Sequence, residues 1–156
     1  MNIREAKAND AQAVSSLAMS LGKYYNDDDP SGISPFFQKV ISVESFERYL
    51  EKSEGYENYV YEKKGVIVAY LSMLNGTHFF LLFVDKAEHK KGIAKALVEY
   101  VLKIKEHKVY TVNASLYAVP FYEKLGFVPS ALVQRQHGMT YQPMILNTLK
   151  CQTFLT

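Results

Sequence analysis

The residues best placed to bind an anion lie where a predicted β-strand leads into a predicted helix. The strand ends at Val84, the helix begins near Gly92, and the connection carries His89, Lys90 and Lys91. A helix N-terminus has a partial positive charge, and a glycine there lets backbone amides come close to a ligand. Lysines are disfavoured at this end of a helix unless an anion offsets the repulsion. The segment therefore predicts a site for a phosphate or diphosphate group.

The same segment also has a simpler interpretation, as a solvated basic loop before a tight helix start. It matches neither the phosphate-binding pattern G-x-x-x-x-G-K-[ST] nor the dinucleotide pattern G-x-G-x-x-G. Taken alone, this segment leaves both interpretations open.

The second candidate is a tyrosine on a short helix predicted at residues 118–125. Pro120 is tolerated only in the first turn of a helix, so it fixes where this helix begins. The Tyr122 hydroxyl then lies on the interior side, where such a group usually finds a partner. Plain core packing explains the same spacing, and the chain has 12 tyrosines. Four residues at the spacing i, i+3, i+4 and i+7 share this face: Ala118, Phe121, Tyr122 and Leu125.

These segments belong to a chain with the composition of one globular domain, residues 1–156. It is 48% hydrophobic and 22% charged, and Cys151 is its only cysteine, so no disulfide forms within it. The net charge of +2 does not favour nucleic-acid binding, and no stretch approaches the ~20 apolar residues of a membrane span. The first ten residues lack the apolar core of a signal peptide. We expect a cytoplasmic protein that binds neither nucleic acid nor membranes and holds no metal.

Periodicity and turn residues predict the strands and helices that position the two candidates. Strands are expected at residues 3–8, 59–62, 66–74, 78–84 and 109–113, with two more within 127–149. Helices are expected at 9–25, at 35–52 with a break near Ser42, at 92–106 and at 118–125. Asn9 or Asp10 is the expected cap of the first helix. The apolar side of the long helix is expected to hold Ile93, Leu97, Val101 and Ile104. This order predicts a mixed α/β or α+β sheet containing one βαβ unit.

Together the two candidate segments resemble the GNAT superfamily of acyl-CoA-dependent N-acetyltransferases. Residues 89–94 are similar to that family's Arg/Gln-x-x-Gly-x-Gly/Ala diphosphate loop. Residues 115–127 are similar to its Asn-x-x-Ala-x-x-x-Tyr-x-x-x-Gly-Phe segment. The order and spacing of the pair are specific, and the element order extends the resemblance over nearly the whole chain. Two departures stand out, His89 in place of arginine or glutamine and Ser115 in place of asparagine.

The resemblance implies a central, mostly antiparallel sheet of about six to seven strands with flanking helices, and acetyl-CoA as the cofactor. Coenzyme A would lie in an opening between the strand ending at Val84 and the strand at 109–113. Backbone groups near Phe83 and Val84 would hold its pantetheine arm and polarise the thioester carbonyl. Asn113 would compensate for Ser115 if it reaches the cofactor. The cofactor-binding residues that the resemblance implies are Leu82, Phe83, Val84, His89, Lys90, Lys91, Gly92, Ile93, Ala94, Lys95, Asn113, Ser115, Ala118, Phe121 and Tyr122.

The implied reaction is direct attack by a primary amine of a small molecule or peptide on the acetyl thioester in a ternary complex. Tyr122 would be the catalytic residue, because a positioned hydroxyl can protonate the leaving CoA thiolate. Tyr24, Tyr25 and His78 are candidate acceptor-site residues, and residues 27–29 offer three aspartates to a cationic amine. The general base stays open among His78, Glu44, Glu47 and a water chain.

Two other classes of function remain open at this point. One is a non-catalytic CoA-binding regulatory module, which would keep the cofactor cradle but lack an acceptor pocket. The other is a protein that binds nucleotides or phosphates at the same basic helix start. A homodimer is compatible with such folds, although nothing in the sequence fixes one.

Overall fold

The computed structural model describes residues 2–24, 33–52 and 54–149, which build one mixed β-sheet with helices on its two faces. The strands are β1 (Ile3–Glu5), β2 (Tyr56–Lys63), β3 (Val66–Leu74), β4 (His78–Val84), β5 (Val109–Ser115), β6 (Val128–Pro129), β7 (Gln134–Gln136) and β8 (Met139–Asn147). The α-helices are α1 (Ala11–Ser20), α2 (Pro35–Val40), α3 (Val43–Leu50), α4 (Ile93–Lys105) and α5 (Val119–Lys124). Short 3₁₀ turns occur at Ala8–Asp10, Gly22–Tyr24 and Lys86–Glu88.

Within the described residues, the strand order is β1-β2-β3-β4-β5-β8-β6, and β7 also pairs with β8. Every paired neighbour is antiparallel except β4 and β5, which α4 connects as the predicted βαβ unit. The expectation of a mixed, mostly antiparallel sheet with flanking helices is confirmed. The sheet has eight strands because the chain after α5 forms three strands where two were expected.

Hydrophobic clusters cover both faces of the sheet and hold the helices in place. On one face, α4 and α5 bury Leu97, Val101 and Tyr122 against strand residues such as Phe79. On the other face, α1, α2 and α3 pack on the sheet, with α1 and α3 burying residues such as Val14, Leu17, Phe46 and Tyr49. The long helix begins and ends where predicted, but Ile104 is 47% exposed and Val98 is buried in its place. Helical periodicity alone did not predict this exchange. The way α4 packs against the sheet decides which of the two side chains is buried.

The first helix differs most from its prediction. It ends at Ser20 rather than near residue 25, and a 3₁₀ turn at Gly22–Tyr24 follows. Asp10 occupies the N-cap position but does not cap α1 with its side chain. Its carboxylate instead accepts hydrogen bonds from the Arg4 guanidinium at 2.9 and 3.1 Å and from the Lys7 amide at 2.7 Å. The break at Ser42 is as predicted, since the Ser42 hydroxyl accepts from the Ser45 amide and caps α3.

A β-bulge interrupts the pairing of β4 with β3 between Phe79 and Leu81. Ser72 of β3 is opposite Leu81 and Met73 is opposite Phe79, so Phe80 has no partner in the register. A bulge bends its strand. Strand β4 pairs with β5 only at His78 and Phe79, just before this point. Beyond it the two parallel strands are no longer paired, which leaves an opening between their C-terminal halves.

Burial raises the pKa of several tyrosine hydroxyls, that of Tyr59 to about 12 and those of Tyr70 and Tyr122 further. The unfolded chain releases these protons near pH 10, whereas the folded chain retains them. These raised pKa values therefore make no difference to the free energy of unfolding below pH 10. Above pH 10 the free energy of unfolding should fall as the pH rises towards 12. Urea unfolding followed by circular dichroism between pH 8 and 11.5 measures the slope, and Tyr59→Phe should reduce it. A flat profile over that range would contradict the prediction.

Candidate active site

A cleft of about 630 Å³ occupies the opening between β4 and β5. Its walls come from the end of β4, the β4–α4 connection with the first turn of α4, and the β5–α5 connection with α5. Two residues that follow α1 reach the same space. The lining residues are Leu21, Tyr24, Leu82, Phe83, Val84, Glu88, His89, Lys90, Gly92, Ile93, Ala94, Lys95, Ser115, Tyr117, Ala118, Pro120, Phe121, Tyr122, Lys124 and Leu125.

Unpaired backbone amides concentrate at the start of α4. From residue 90 to residue 95, the amide N–H groups donate no hydrogen bond within the described part of the chain. The first bonded amide is that of Ala96, which donates to the Gly92 carbonyl at 3.0 Å. Lys90 and Gly92 have φ angles of 63° and 80°. Residues with positive φ therefore alternate with Lys91, which is not among the residues of positive φ. This alternation turns successive amides towards one side, which is the geometry of an anion-binding nest at a helix N-terminus.

Gly92 is the residue in this cradle whose conformation constrains its identity most. Its φ of 80° lies in the left-handed region that residues with a Cβ rarely adopt. A Cβ built on Gly92 would meet nothing within 4 Å, so the protein itself leaves this position open. The requirement for glycine is therefore one of backbone geometry and ligand access rather than internal packing.

The charged side chains around the cradle are partly neutralised by one another. The Glu88 carboxylate lies 2.9 Å from the Lys63 ammonium and 3.3 Å from that of Lys91. The hydrogen bond from Lys63 is the main reason that the pKa of Glu88 is lowered, so this carboxylate stays ionised. Lys91 points to Glu88 and is not among the lining residues, whereas Lys90 and Lys95 are. The Lys91 side chain is therefore not brought to the cleft, although its backbone amide belongs to the cradle.

His89 ties the cradle to the end of β4. Its Nε2 lies 2.7 Å from the carbonyl oxygen of Val84, and because a carbonyl only accepts, Nε2 carries the hydrogen. The Asp85 amide donates to Val68 on β3, so strand alternation turns the N–H and C=O of Val84 the other way, towards β5. His89 therefore donates a hydrogen bond to the Val84 carbonyl, while the Val84 amide N–H stays directed at the cleft.

Tyr122 lines the cleft from the other wall, on α5. Its side chain is 4% exposed, and its hydroxyl makes no hydrogen bond within the described residues. Burial raises its pKa, so the phenol stays protonated at neutral pH and can donate a proton but is a poor base. Pro120 stands in the first turn of α5, as predicted, and the Ser115 hydroxyl accepts from the Ala118 amide at 3.3 Å. The Phe127 amide donates to the Tyr122 carbonyl, which fixes the end of this helix.

Three expected site residues are not brought to the cleft, and a fourth lies outside the described residues. Asn113 is exposed on β5 opposite Pro143 and does not line the cleft, so its compensation for Ser115 stays a prediction. His78 begins β4, roughly 20 Å of extended chain from Val84, and its Nδ1 lies 2.8 Å from the Thr111 hydroxyl. It therefore lies away from the cleft, as does the side chain of Lys91. Tyr25 and the aspartates at 27–29 fall in the part of the chain that is not described.

Other lining residues lie outside the set expected from the sequence. Leu125 shares the helical face of Tyr122, so its spacing alone could have identified it. Leu21, Glu88 and Tyr117 carry no local pattern that marks them, because they reach the cleft only through the packing of separate elements. The additional lining residues are Leu21, Glu88, Tyr117, Pro120, Lys124 and Leu125.

Comparisons with known proteins agree on one family. A family model described as an acetyltransferase (GNAT) domain matches residues 24–148. Peptidyl-lysine N-acetyltransferase YiaC of Escherichia coli (strain K12) is 32% identical over 74 residues, which are 46% of this chain and 49% of that protein. The chain thus spans about half the length of this curated relative.

Two solved structures have the same fold. A GCN5-related N-acetyltransferase from Rhodopseudomonas palustris gives a TM-score of 0.74 at 18% identity, covering 93% of this chain and 94% of that one. The PaiA N-acetyltransferase from Thermoplasma acidophilum, in complex with coenzyme A, gives 0.71 at 15% identity, covering 93% and 97%. Identities this low establish the fold alone. No helix in the described ranges is long and apolar enough to cross a membrane.

Proposed function

Because this chain belongs to the GNAT acetyltransferase family, we propose that it transfers the acetyl group of acetyl-CoA to a primary amine of a small molecule or peptide. One observation carries the proposal: a cradle of unpaired amides and a protonated tyrosine line the same cleft from its two walls. The family match over residues 24–148 supports treating the chain as one catalytic domain.

The residues present fit coenzyme A. The amides of residues 90–95 offer donors to a diphosphate, and the open position at Gly92 leaves room for it. Leu82, Phe83 and Phe121 give the cleft apolar walls that suit an extended arm, while the Val84 amide offers a donor beside it. When bound, acetyl-CoA supplies an acetyl thioester that an amine can attack. The structure of PaiA with coenzyme A supports the same assignment.

The roles of this chain's own residues follow from that placement. The Val84 amide is positioned to donate to the oxygen on which negative charge develops. The Tyr122 hydroxyl, which is protonated at neutral pH, is placed to donate its proton to the departing sulfur. Among the described residues, the histidine and carboxylate that line the cleft are His89 and Glu88, and both are already hydrogen-bonded. Glu88 is paired with two lysines, whereas Nδ1 of the neutral His89 ring can accept a proton while Nε2 donates to Val84, so we assign removal of the amine proton to His89 Nδ1 or to water.

The enzyme is favoured over a non-catalytic CoA-binding module by the unbonded, protonated hydroxyl of Tyr122 in the cleft, which a module that only binds does not need. A nucleotide binder would need no apolar cleft beyond the anion cradle. The name of the E. coli relative supports a lysine side chain as one acceptor to test. A cytoplasmic location and a homodimer stay predictions from the sequence.

An acetyl-CoA assay that follows the released thiol tests the proposal directly. The panel should include polyamines, amino acids, aminoglycosides, peptide N-termini and lysine peptides, with mass spectrometry of each acetylated product. We expect amine-dependent thiol release with at least one class. Calorimetry showing that coenzyme A, ATP and ADP bind equally, with no amine-stimulated turnover, would contradict it.

His89 should contribute to cofactor affinity through the hydrogen bond to Val84. In His89→Ala the Val84 carbonyl loses its donor and the loop loses its tie to β4, so we expect the Kd for coenzyme A to rise about 5- to 10-fold, as loss of one hydrogen bond implies. His89→Gln keeps an N–H donor of similar reach and should recover the part of the affinity that this hydrogen bond supplies. Calorimetry on both variants checks this, and equal losses in the two would show that the hydrogen bond is not the cause.

A further inference from the structure

Three aromatic rings from separate elements meet at the cleft. The ring of Tyr24 lies 4.6 Å from that of Tyr117 and 5.6 Å from that of His89, measured between centroids. Tyr24 ends the 3₁₀ turn after α1, His89 follows β4, and Tyr117 follows β5. All three line the cleft. They are called the aromatic strap below.

The strap spans the opening from one wall to the other. Strands β4 and β5 stop pairing after Phe79 and Val112, so His89 and Tyr117 stand on opposite sides of the gap. A ring that contacts both must cross between them. The cradle at Gly92 and the hydroxyl of Tyr122 belong to these same two walls. The three rings, the cradle and Tyr122 line one cleft, so a ligand that fills this cleft contacts the rings.

The backbone that carries Tyr24 is anchored, whereas the rings are accessible. Leu21 is buried and also lines the cleft. A Cβ built on Gly22 would clash with Cγ1 of Ile33, so Ile33 packs directly on the glycine backbone. Tyr117, by contrast, is 61% exposed and sits on a short turn. Ring contacts of this kind can open without disturbing the core.

We propose that the aromatic strap closes over the pantetheine arm of acetyl-CoA, with Tyr24 and Tyr117 as positioning residues for the cofactor. This inference rests on the proposed function and assigns Tyr24 to the cofactor cleft rather than to the amine acceptor. Aromatic faces pack well on the arm's methylene and amide groups. The closed strap slows release of the cofactor and keeps water from the thioester.

The dissociation rate of coenzyme A measures the strap without relying on catalysis. Tyr24→Ala and Tyr117→Ala should each raise this rate about 3- to 10-fold, the effect expected of one aromatic pair. The double variant should add little to either single one, because both remove the same contact. Tyr24→Phe keeps the ring and should stay much closer to the wild type than Tyr24→Ala. Tyr61→Ala, which removes a tyrosine on β2 away from the cleft, should leave the rate unchanged.

A second measurement follows hydrolysis of acetyl-CoA without any amine, in which water takes the acetyl group and yields acetate and free coenzyme A. Both alanine variants should speed this reaction at saturating acetyl-CoA. Thermal unfolding without ligand separates loss of the strap from loss of the fold, and Tyr117→Ala suits this check because the residue is exposed.

The possible outcomes distinguish the strap from the proposed function. If the wild type acetylates amines but neither alanine variant changes the dissociation rate, the strap is overturned and the function stands. If Tyr24→Phe is as defective as Tyr24→Ala, the ring contacts are not the cause and the strap is likewise overturned. If the wild type binds no coenzyme A, the proposed function fails and the strap fails with it.

Discussion

Replacing Tyr122 with phenylalanine should lower kcat by about 10²–10⁴-fold and leave the affinity for coenzyme A nearly unchanged. The substitution removes one oxygen atom from a buried side chain whose hydroxyl makes no hydrogen bond in the described structure. The ring contacts with Phe121 and Phe127, at centroid distances of 5.0 and 5.3 Å, remain. Only the proton that the leaving thiolate would receive is lost.

Single-turnover measurements with saturating acetyl-CoA and amine give the sharpest test, because they are insensitive to slow product release. Calorimetry with coenzyme A should give the same Kd for both proteins. Tyr59→Phe is a matched control, since Tyr59 is equally buried in the same hydrophobic cluster but lies away from the cleft. A Tyr122→Phe enzyme that turns over at the wild-type rate would remove the hydroxyl from the mechanism.

Replacing Gly92 with alanine should weaken coenzyme A binding by about 10- to 100-fold. A residue with a Cβ at a φ of 80° costs about 1–3 kcal/mol, and the loop can relieve this strain only by moving. Movement turns the amides of residues 90–95 out of alignment, and each 1.4 kcal/mol lost in binding is tenfold in Kd. The added methyl group also occupies the open position beside the anion cradle.

Gly65 supplies an unusually close control. It has a φ of 77°, a Cβ built on it would also meet nothing within 4 Å, and it lies in the turn between β2 and β3. Gly65→Ala should therefore carry a similar backbone strain, visible as a lower thermal midpoint, without affecting coenzyme A binding. Calorimetry and thermal unfolding on the two variants separate strain from ligand contact. Equal Kd values in both variants and the wild type would exclude Gly92 from the cradle.

Local features of the sequence were enough to locate the anion cradle and the tyrosine helix. The bounds of β3 and β4 follow from the Asn75-Gly76 turn, whose residues have φ angles of 55° and 75°. Gly92 marks the start of α4 because few other residues adopt its conformation. Pro120 fixes the start of α5 because it lacks an amide donor. Each of these properties belongs to a short stretch of chain, so each can be read without knowing what packs against it.

The features that join these parts into a site depend on contacts between distant residues. The bulge at Phe80 opens the cleft, and it exists only in the register between β3 and β4. The bond from His89 to Val84 and the separation of His78 from the cleft follow from where β4 ends and bends. Tyr24 and Tyr117, 93 positions apart in the chain, meet because the segments that follow α1 and β5 lie close together in the fold. Backbone preferences depend on neighbouring residues, so they can be predicted from the sequence. Strand register and helix packing depend on how the whole core is buried, so they are decided only in the folded chain.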